Sequence, residues 1–287
     1  MSALSVAVIV LNYRGDRVLR ACLTSLALAI GPDDQVLVVD NGNESTLLAS
    51  VREDFPQFET ISLEVNRGFA AGMNFGIRHM LARGNFDAFW LMNNDAQVAP
   101  DGLSALKRAA LTKGNTGLFS PIIYLPDNDK PWFAGGEIDF LRMRVTHSQS
   151  PLRGREPQLT KFLTGCALFI PREAIERIGF LDERYFLYYE DAEYSLRARR
   201  QGLDLWVVPS AHVTHSEESR KSAAKIYWLV RSGTEFFLRE SRGIWRVWIM
   251  LYFPLRRLKN TLTLLGDVNT DQTVAKEVKR AYTDASL

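Results

Sequence analysis

The run Phe89-Trp90-Leu91-Met92-Asn93-Asn94-Asp95 constrains this chain most. A strand-like apolar stretch ends in two amides and a carboxylate. Strands buried on both faces of an α/β sheet read as continuous apolar runs, and ligands bind beyond their carboxyl ends. A carboxylate placed there reaches a divalent cation or a sugar hydroxyl. The same layout occurs earlier, where Val36-Leu37-Val38-Val39 runs into Asp40-Asn41-Gly42. Asn, Asp and Gly are also the usual turn residues, so either motif alone fits a plain strand-to-turn junction. The two together point to one polar cleft.

The neighbouring pattern supports an α/β reading. Strands are expected over residues 5–11, 35–39, 58–65 and 88–92, alternating with helices over 16–30, 46–55, 69–82 and 100–111. Such alternation implies a mostly parallel sheet with right-handed crossovers. After Gly117 come a strand at 118–125 and a Pro-, Gly- and Arg-rich excursion at 127–157. The excursion reads as a hairpin with arms at 132–134 and 143–145. Then follow a strand at 162–170, a helix at 172–178, a helix at 191–201, and a last strand at 205–208 stopped by Pro209. From Lys221 onward the chain reads as helix, and Pro254 is expected to kink it.

Composition narrows the class. The chain has 287 residues, 46% of them hydrophobic and 24% charged, which is ordinary for a globular protein. Cys22 and Cys166 sit among apolar neighbours and read as small hydrophobes, in keeping with a reducing cytosol. The first residues lack the basic start and cleavage site of a signal peptide. No apolar run reaches the roughly 18 residues a membrane span needs. Net charge is +2, yet residues 220–259 carry ten basic side chains against two acidic ones. That asymmetry points to an anionic partner for the C-terminal part.

Three further motifs carry chemistry. Residues 66–76 form a glycine-rich turn into a helix. Small residues let a helix N-terminus approach an anion, and they also allow close helix–sheet packing. The motif matches neither a dinucleotide fingerprint nor a P-loop. Glu190, Asp191 and Glu193 follow Tyr185, Phe186, Tyr188 and Tyr189. Acids suit a helix start, while aromatic walls raise a carboxylate's pKa and make it a candidate general base. His212 and His215 follow the last strand. Each is an ordinary loop residue on one reading, and on the other a ligand for Mn2+ beside a carboxylate such as Asp95.

Taken in order, these motifs resemble the inverting glycosyltransferases of family 2, with the GT-A fold, and most of all the rhamnosyltransferase-type enzymes of bacterial polysaccharide assembly. The resemblance runs over roughly residues 5–237. It rests on Val10-Leu11-Asn12-Tyr13, Val38-Val39-Asp40-Asn41-Gly42, Asn66-Arg67-Gly68-Phe69 with Gly72, Asn74 and Gly76, and Asn93-Asn94-Asp95. It continues through Gly165, Gly179-Phe180-Leu181-Asp182, Glu190-Asp191-Ala192-Glu193, the 197–202 stretch and Val213-Thr214-His215.

The resemblance implies a GT-A Rossmann-like, mixed but mostly parallel sheet flanked by helices, with a C-terminal helical extension. It implies a catalytic domain over 1–219, with a nucleotide-binding part at 1–117 and an acceptor-binding part at 118–219, then a basic amphipathic extension at 220–287. Asp40 would accept the N3–H of the donor base, near Asn12 and Tyr13. Asn66, Arg67 and Gly68 would line the nucleotide and diphosphate. Asn93, Asn94 and Asp95 stand where the family has Asp-x-Asp, so Asp95 and His215 would bind a divalent cation, Mg2+ or Mn2+. Asp191 would be the general base. Glu190, with Tyr188 and Tyr189, would shape the acceptor pocket, supported by Arg197.

This chain departs from the family pattern at Asn93, which brings no charge to the metal, and at Glu217-Glu218, where small residues are usual. The favoured donor is dTDP-L-rhamnose, with a UDP-hexose as the alternative, and the acceptor a saccharide or a polyprenyl-diphosphate-linked one. A binding protein without catalysis is the other class weighed, on Asn93 alone. A nucleotidyltransferase is disfavoured because Asn12-Tyr13-Arg14-Gly15 is poor in glycine and lysine. The cluster at 244–253, flanked by arginines, reads as an interfacial helix on anionic lipid, or as a surface packed on the catalytic domain or in a homo-oligomer. The expected setting is cytoplasmic, peripheral on the inner face of the cytoplasmic membrane, with no nucleic-acid partner.

Overall fold

The computed structural model describes residues 4–114, 116–216, 223–266 and 272–285. The first half runs β1 (Val6–Asn12), α1 (Asp16–Ala29), β2 (Gln35–Asp40), α2 (Ser45–Asp54), β3 (Glu59–Ser62), α3 (Phe69–Arg83), β4 (Ala88–Asn93), β5 (Ala96–Val98) and α4 (Gly102–Lys113). Then come β6 (Leu118–Tyr124), β7 (Pro131–Phe133), β8 (Gly136–Asp139), β9 (Arg144–His147), β10 (Gln158–Leu159), β11 (Ala167–Pro171), α5 (Arg172–Ile178), α6 (Glu190–Arg200) and β12 (Leu205–His215). Helices α7 (Ala223–Glu240), α8 (Ile244–Gly266) and α9 (Gln272–Asp284) follow.

The central sheet has the order β3-β2-β1-β4-β11-β6-β12-β10, flanked by helices. Its β3-β2-β1-β4 part is parallel, and β11 is wedged antiparallel between β4 and β6. It is therefore mixed but mostly parallel. All of β1, the last five residues of β2 and the first five of β4 are buried, which is why these segments read as unbroken apolar runs. The register sets Asn12 beside Asp40 and Leu11 beside Asn93, so both acid-terminated strands open at the same edge. The apolar core extends without a break into Phe236, Phe237 and Leu238 of α7 and Ile249 of α8.

Three local expectations are corrected. The last strand does not stop at Pro209: β12 continues to His215 through a register shift between Val208 and His212. A bulge absorbs a proline that cannot donate to the ladder. His212 and His215 consequently lie on a strand and not on a loop. The hairpin in the excursion is β8–β9, whereas Trp132 and Phe133 belong to β7, which pairs with β6. The strand expected over 162–170 begins only at Ala167, and 162–166 form a loop. Helix α8 runs through Pro254, where a kink and not a stop is expected. The Glu217-Glu218 pair and the boundary at 219/220 lie outside the described residues.

Candidate active site

At the carboxyl edge of β1 and β2, Asp40 is fully buried. Its carboxylate accepts the Gly42 N–H at 3.1 Å, the Glu44 N–H, and the Ser62 hydroxyl at 3.2 Å. A carboxylate has roughly four acceptor positions, so about one is left for a ligand. Asn12 accepts from the Asn94 amide at 2.7 Å, and its own Nδ2 is buried without a partner. Tyr13 is exposed, and the Arg14 guanidinium lies 5.2 Å from the centre of its ring.

The glycine-rich turn is tied to Asn41. Its amide donates to Asn66 Oδ1 and to the Gly68 carbonyl, both at 3.0 Å, and its carbonyl accepts the Arg67 N–H at 2.9 Å. Gly68 has φ +82°, and a Cβ there would lie 2.8 Å from Phe186 Cδ2. The α3 N-terminus is not free for an anion at Phe69, whose N–H donates to the Phe186 carbonyl at 2.7 Å. Gly72 and Gly76 serve close packing: a Cβ on either would press at 2.6 Å into Leu11 or Ile9 of β1.

Asp95 and His215 meet through an element the sequence reading missed. β5 follows directly on Asp95 and pairs antiparallel with the end of β12, setting His215 opposite Ala96. His215 Nε2 then lies 3.1 Å from Asp95 Oδ1. Asp95 Oδ1 and His215 Nδ1 are both buried and lack a hydrogen bond. Trp132 packs against His215 with ring centres 5.0 Å apart, and against His147 at 4.6 Å on the other side. Burial, then the nearby His215, pushes the His147 pKa down to about 4. Orphaned oxygen and imidazole donors side by side fit a borderline divalent cation. The described residues hold no cluster of three or more acidic, histidine or cysteine groups. Oxygens of a bound diphosphate would have to complete such a shell.

Asp191 opens α6. Its Oδ2 accepts the Gly165 N–H at 2.9 Å and its Oδ1 the Ala192 N–H at 2.8 Å. Burial dominates these bonds and lifts the Asp191 pKa to about 6. Glu190 is more deeply enclosed, and burial followed by the Asp191 charge raises its pKa well above the usual carboxylate range. Tyr188 and Tyr189 precede them with φ +66° and +70°. Two consecutive left-handed non-glycine residues are strained, and such strain gathers at functional sites.

A model of the family described as glycosyl transferase family 2 matches residues 5–179. The chain belongs to glycosyl transferase family 2. It is 25% identical over 298 residues to the N-acetylglucosaminyl-diphospho-decaprenol L-rhamnosyltransferase of Mycobacterium tuberculosis, covering 95% of both proteins. It is also 25% identical to the dTDP-rhamnosyl transferase RfbF of Shigella flexneri, over 63% of this chain and 59% of that protein. Among solved structures it resembles the mannosyltransferase PcManGT of Pyrobaculum calidifontis in complex with GDP-Man and Mn2+, with a TM-score of 0.60 and 17% identity over all of this chain and 77% of that one. GalNAc-T7 with UDP, GalNAc and Mn2+ gives 0.65 at 16% identity, over 82% of this chain and half of that one. Both show the GT-A-type fold.

In this family 2 glycosyltransferase, Glu190, Asp191 and His215 lie beyond the matched residues, and only the fold brings them to the cleft. Sequence reasoning gave no role to Asn41 or Asn74. Asn74 is buried in the middle of α3, where it accepts the Leu181 N–H at 3.0 Å and donates to the Leu181 carbonyl at 2.8 Å. An amide on the apolar face of a helix was the available signal. Arg197 is bidentate to Glu193 at 2.8 Å and also donates to the Phe180 carbonyl at 2.8 Å, so it fastens the same turn. Tyr189 turns its ring toward α7, against Gly233 and Phe236.

Proposed function

We propose that this glycosyltransferase is an inverting enzyme that moves L-rhamnose from dTDP-L-rhamnose to a hydroxyl of a lipid-linked saccharide, at the inner membrane face, in bacterial cell-surface polysaccharide assembly. The observation that carries the reading is a pair of adjacent backbone bonds. Gly165 donates to Asp191, and the next residue, Cys166, accepts the Asn93 N–H at 2.9 Å. One dipeptide thus joins the acid at the start of α6 to the amide–acid end of β4. The names of the Mycobacterium and Shigella relatives favour the rhamnosyl donor.

Asp191 takes the proton of the acceptor hydroxyl. The acceptor oxygen bonds to the anomeric carbon as the bond from that carbon to the diphosphate oxygen breaks. The nucleoside diphosphate leaves, and a single displacement inverts the configuration. A divalent cation held by Asp95 and His215 would neutralise charge on the leaving diphosphate. Asp40, Asn12 and Tyr13 hold the base; Asn66, Arg67 and Gly68 line the diphosphate with Asn93 and Asn94. Glu190, Tyr188 and Tyr189 shape the acceptor side.

Membrane attachment rests on α8. Ile244, Val247, Leu251, Leu255, Leu258 and Leu262 recur on one face, each more than half exposed. Arg246, Arg257 and Lys259 flank them, and α8 contains no acidic residue. This is the pattern of a helix lying in an anionic interface. No described helix is long and apolar enough to cross a membrane.

The test is calorimetric binding of a nucleotide-sugar panel with and without Mn2+, followed by NMR of the product's anomeric configuration. Metal-strengthened preference for dTDP-L-rhamnose and an inverted product are expected. Preference for a UDP-sugar overturns the donor, a retained configuration overturns the mechanism, and binding without transfer or donor hydrolysis overturns the assignment of Asp191.

A further inference from the structure

Between the β8–β9 hairpin and helices α7, α8 and α9 lies a cavity of about 270 Å3. Among the described residues, its wall includes Tyr189, Phe237, Phe253 and Tyr282, with Arg144 and Arg256 as its charged residues and no acid. Arg256 donates to the carbonyls of Arg142 and Met143 through a single nitrogen, Nη1, which leaves donors over. Arg144 is more than half exposed and lies 3.7 Å from Asp139. An apolar, aromatic chamber with two guanidinium groups, of which only Arg144 has a carboxylate beside it, selects an anionic amphiphile, because Arg grips phosphate oxygens in a fork while the rings cover hydrocarbon.

One relationship narrows the amphiphile further. Tyr189, in the cavity wall, is two residues from Asp191, so the cavity reaches the segment that carries the proposed base. Burial pushes the Tyr189 phenol up to about 12. The side of α8 that walls the cavity, with Phe253, Arg256 and Asn260, is turned away from its apolar stripe. The volume is just under the roughly 300–1,000 Å3 of small-molecule pockets, so it takes one segment of a long lipid.

We propose that this cavity receives the phosphate-proximal isoprenoid segment of a polyprenyl-diphosphate acceptor, with Arg144 and Arg256 on its phosphates. The proposal deepens the function given above and rests on its lipid-linked acceptor. It assigns a lipid site to helices that follow the nucleotide-binding fold.

The test uses the full chain and farnesyl diphosphate, with saturating dTDP occupying the donor site. Tight binding is expected, with farnesol and inorganic diphosphate each weaker by about tenfold or more. Val230→Trp, which fills the cavity, and the double variant Arg144→Gln/Arg256→Gln are each expected to lose about tenfold. The affinity for dTDP, read on the same samples, reports that they are folded. Undiminished affinity in both folded variants overturns the proposal, as does inorganic diphosphate matching farnesyl diphosphate, displacement by dTDP, or no binding at all. Failure of wild-type protein to bind dTDP instead overturns the parent reading, and the farnesyl diphosphate arms are then read without it.

Discussion

His215 Nε2 lies 3.1 Å from Asp95 Oδ1, although the two residues sit at the ends of strands from opposite halves of the catalytic fold. Among the described residues, Asp95 Oδ1 and the other ring nitrogen of His215, Nδ1, are buried without a hydrogen bond. Replacing either residue is therefore expected to leave the fold intact and remove a cation site. Asp95→Asn and His215→Ala should weaken Mn2+-dependent nucleotide binding by at least the roughly 10–100-fold that outer-shell partners are worth. Titrating Mn2+ against dTDP affinity checks this; unchanged Mn2+ dependence would remove the pair from the cation site.

Asp191→Asn is expected to lower transfer by roughly 10²–10⁴-fold while donor affinity stays close to wild type. The base must be ionised to accept a proton, and burial sets its pKa at about 6. Transfer should accordingly rise with pH through about 6 and then level off, which a rate profile at saturating donor reads directly. A flat profile across that range would move the base elsewhere.

Glu190 makes a stability prediction of the opposite sign to the usual paired carboxylate. Its folded pKa is raised, so the folded chain binds the extra proton and stability falls as pH rises above the unfolded value of about 4.3. Below that value both states are protonated and the cost is absent. Glu190→Gln carries no charge at any pH. Its melting temperature should exceed wild type above neutrality and converge with it near pH 4, as calorimetry across pH would show.

Gly68 and Gly114 both have positive φ, +82° and +83°, but differ in ψ and in surroundings. Gly114 is left-handed helical, with nothing within 4 Å of an added Cβ, so Gly114→Ala should cost about 1–2 kcal/mol. Gly68 has ψ −178°, a conformation essentially confined to glycine, and faces the backbone and ring of Phe186. Gly68→Ala should therefore cost more, with a collision of about 1–3 kcal/mol on top of its backbone strain, and should also weaken donor binding. Denaturant unfolding of the two variants checks the order.

For α8, Leu251→Glu with Leu255→Glu should abolish binding to anionic vesicles, and wild-type binding should weaken with added salt. Co-sedimentation at two ionic strengths is sufficient. Binding that survives both charges would leave the stripe without its assigned surface.

Much of this was legible in the chain because it depends on local patterning. Runs buried on both faces announced β1, β2 and β4, and their terminal amides and acids marked the cleft. What escaped depends on pairing across the sheet. β5 is three residues long and has no signal without β12 beside it. Pro209 reads as a stop until a bulge is there to absorb it. The glycines of α3 admit anion binding and close packing equally, and only the facing side chains of Leu11 and Ile9 decide for packing. Sequence also could not tell which way the Tyr189 ring turns, and it packs toward Gly233 and Phe236 of α7.

The backbone at Tyr188 and Tyr189 has one more consequence. Two strained residues stay in place only because something holds them. Here the holders come from α7: Ser232 donates to the Leu187 carbonyl at 2.8 Å, Trp228 stacks on Phe186 at 4.4 Å, and Gly233 leaves room for the Tyr189 ring. The aim of Asp191, the proposed base, is thus set from behind by a helix more than thirty residues downstream of it. A chain cut after β12 would retain both acid-terminated strands and the Asp95–His215 pair, and still lack what aims that carboxylate.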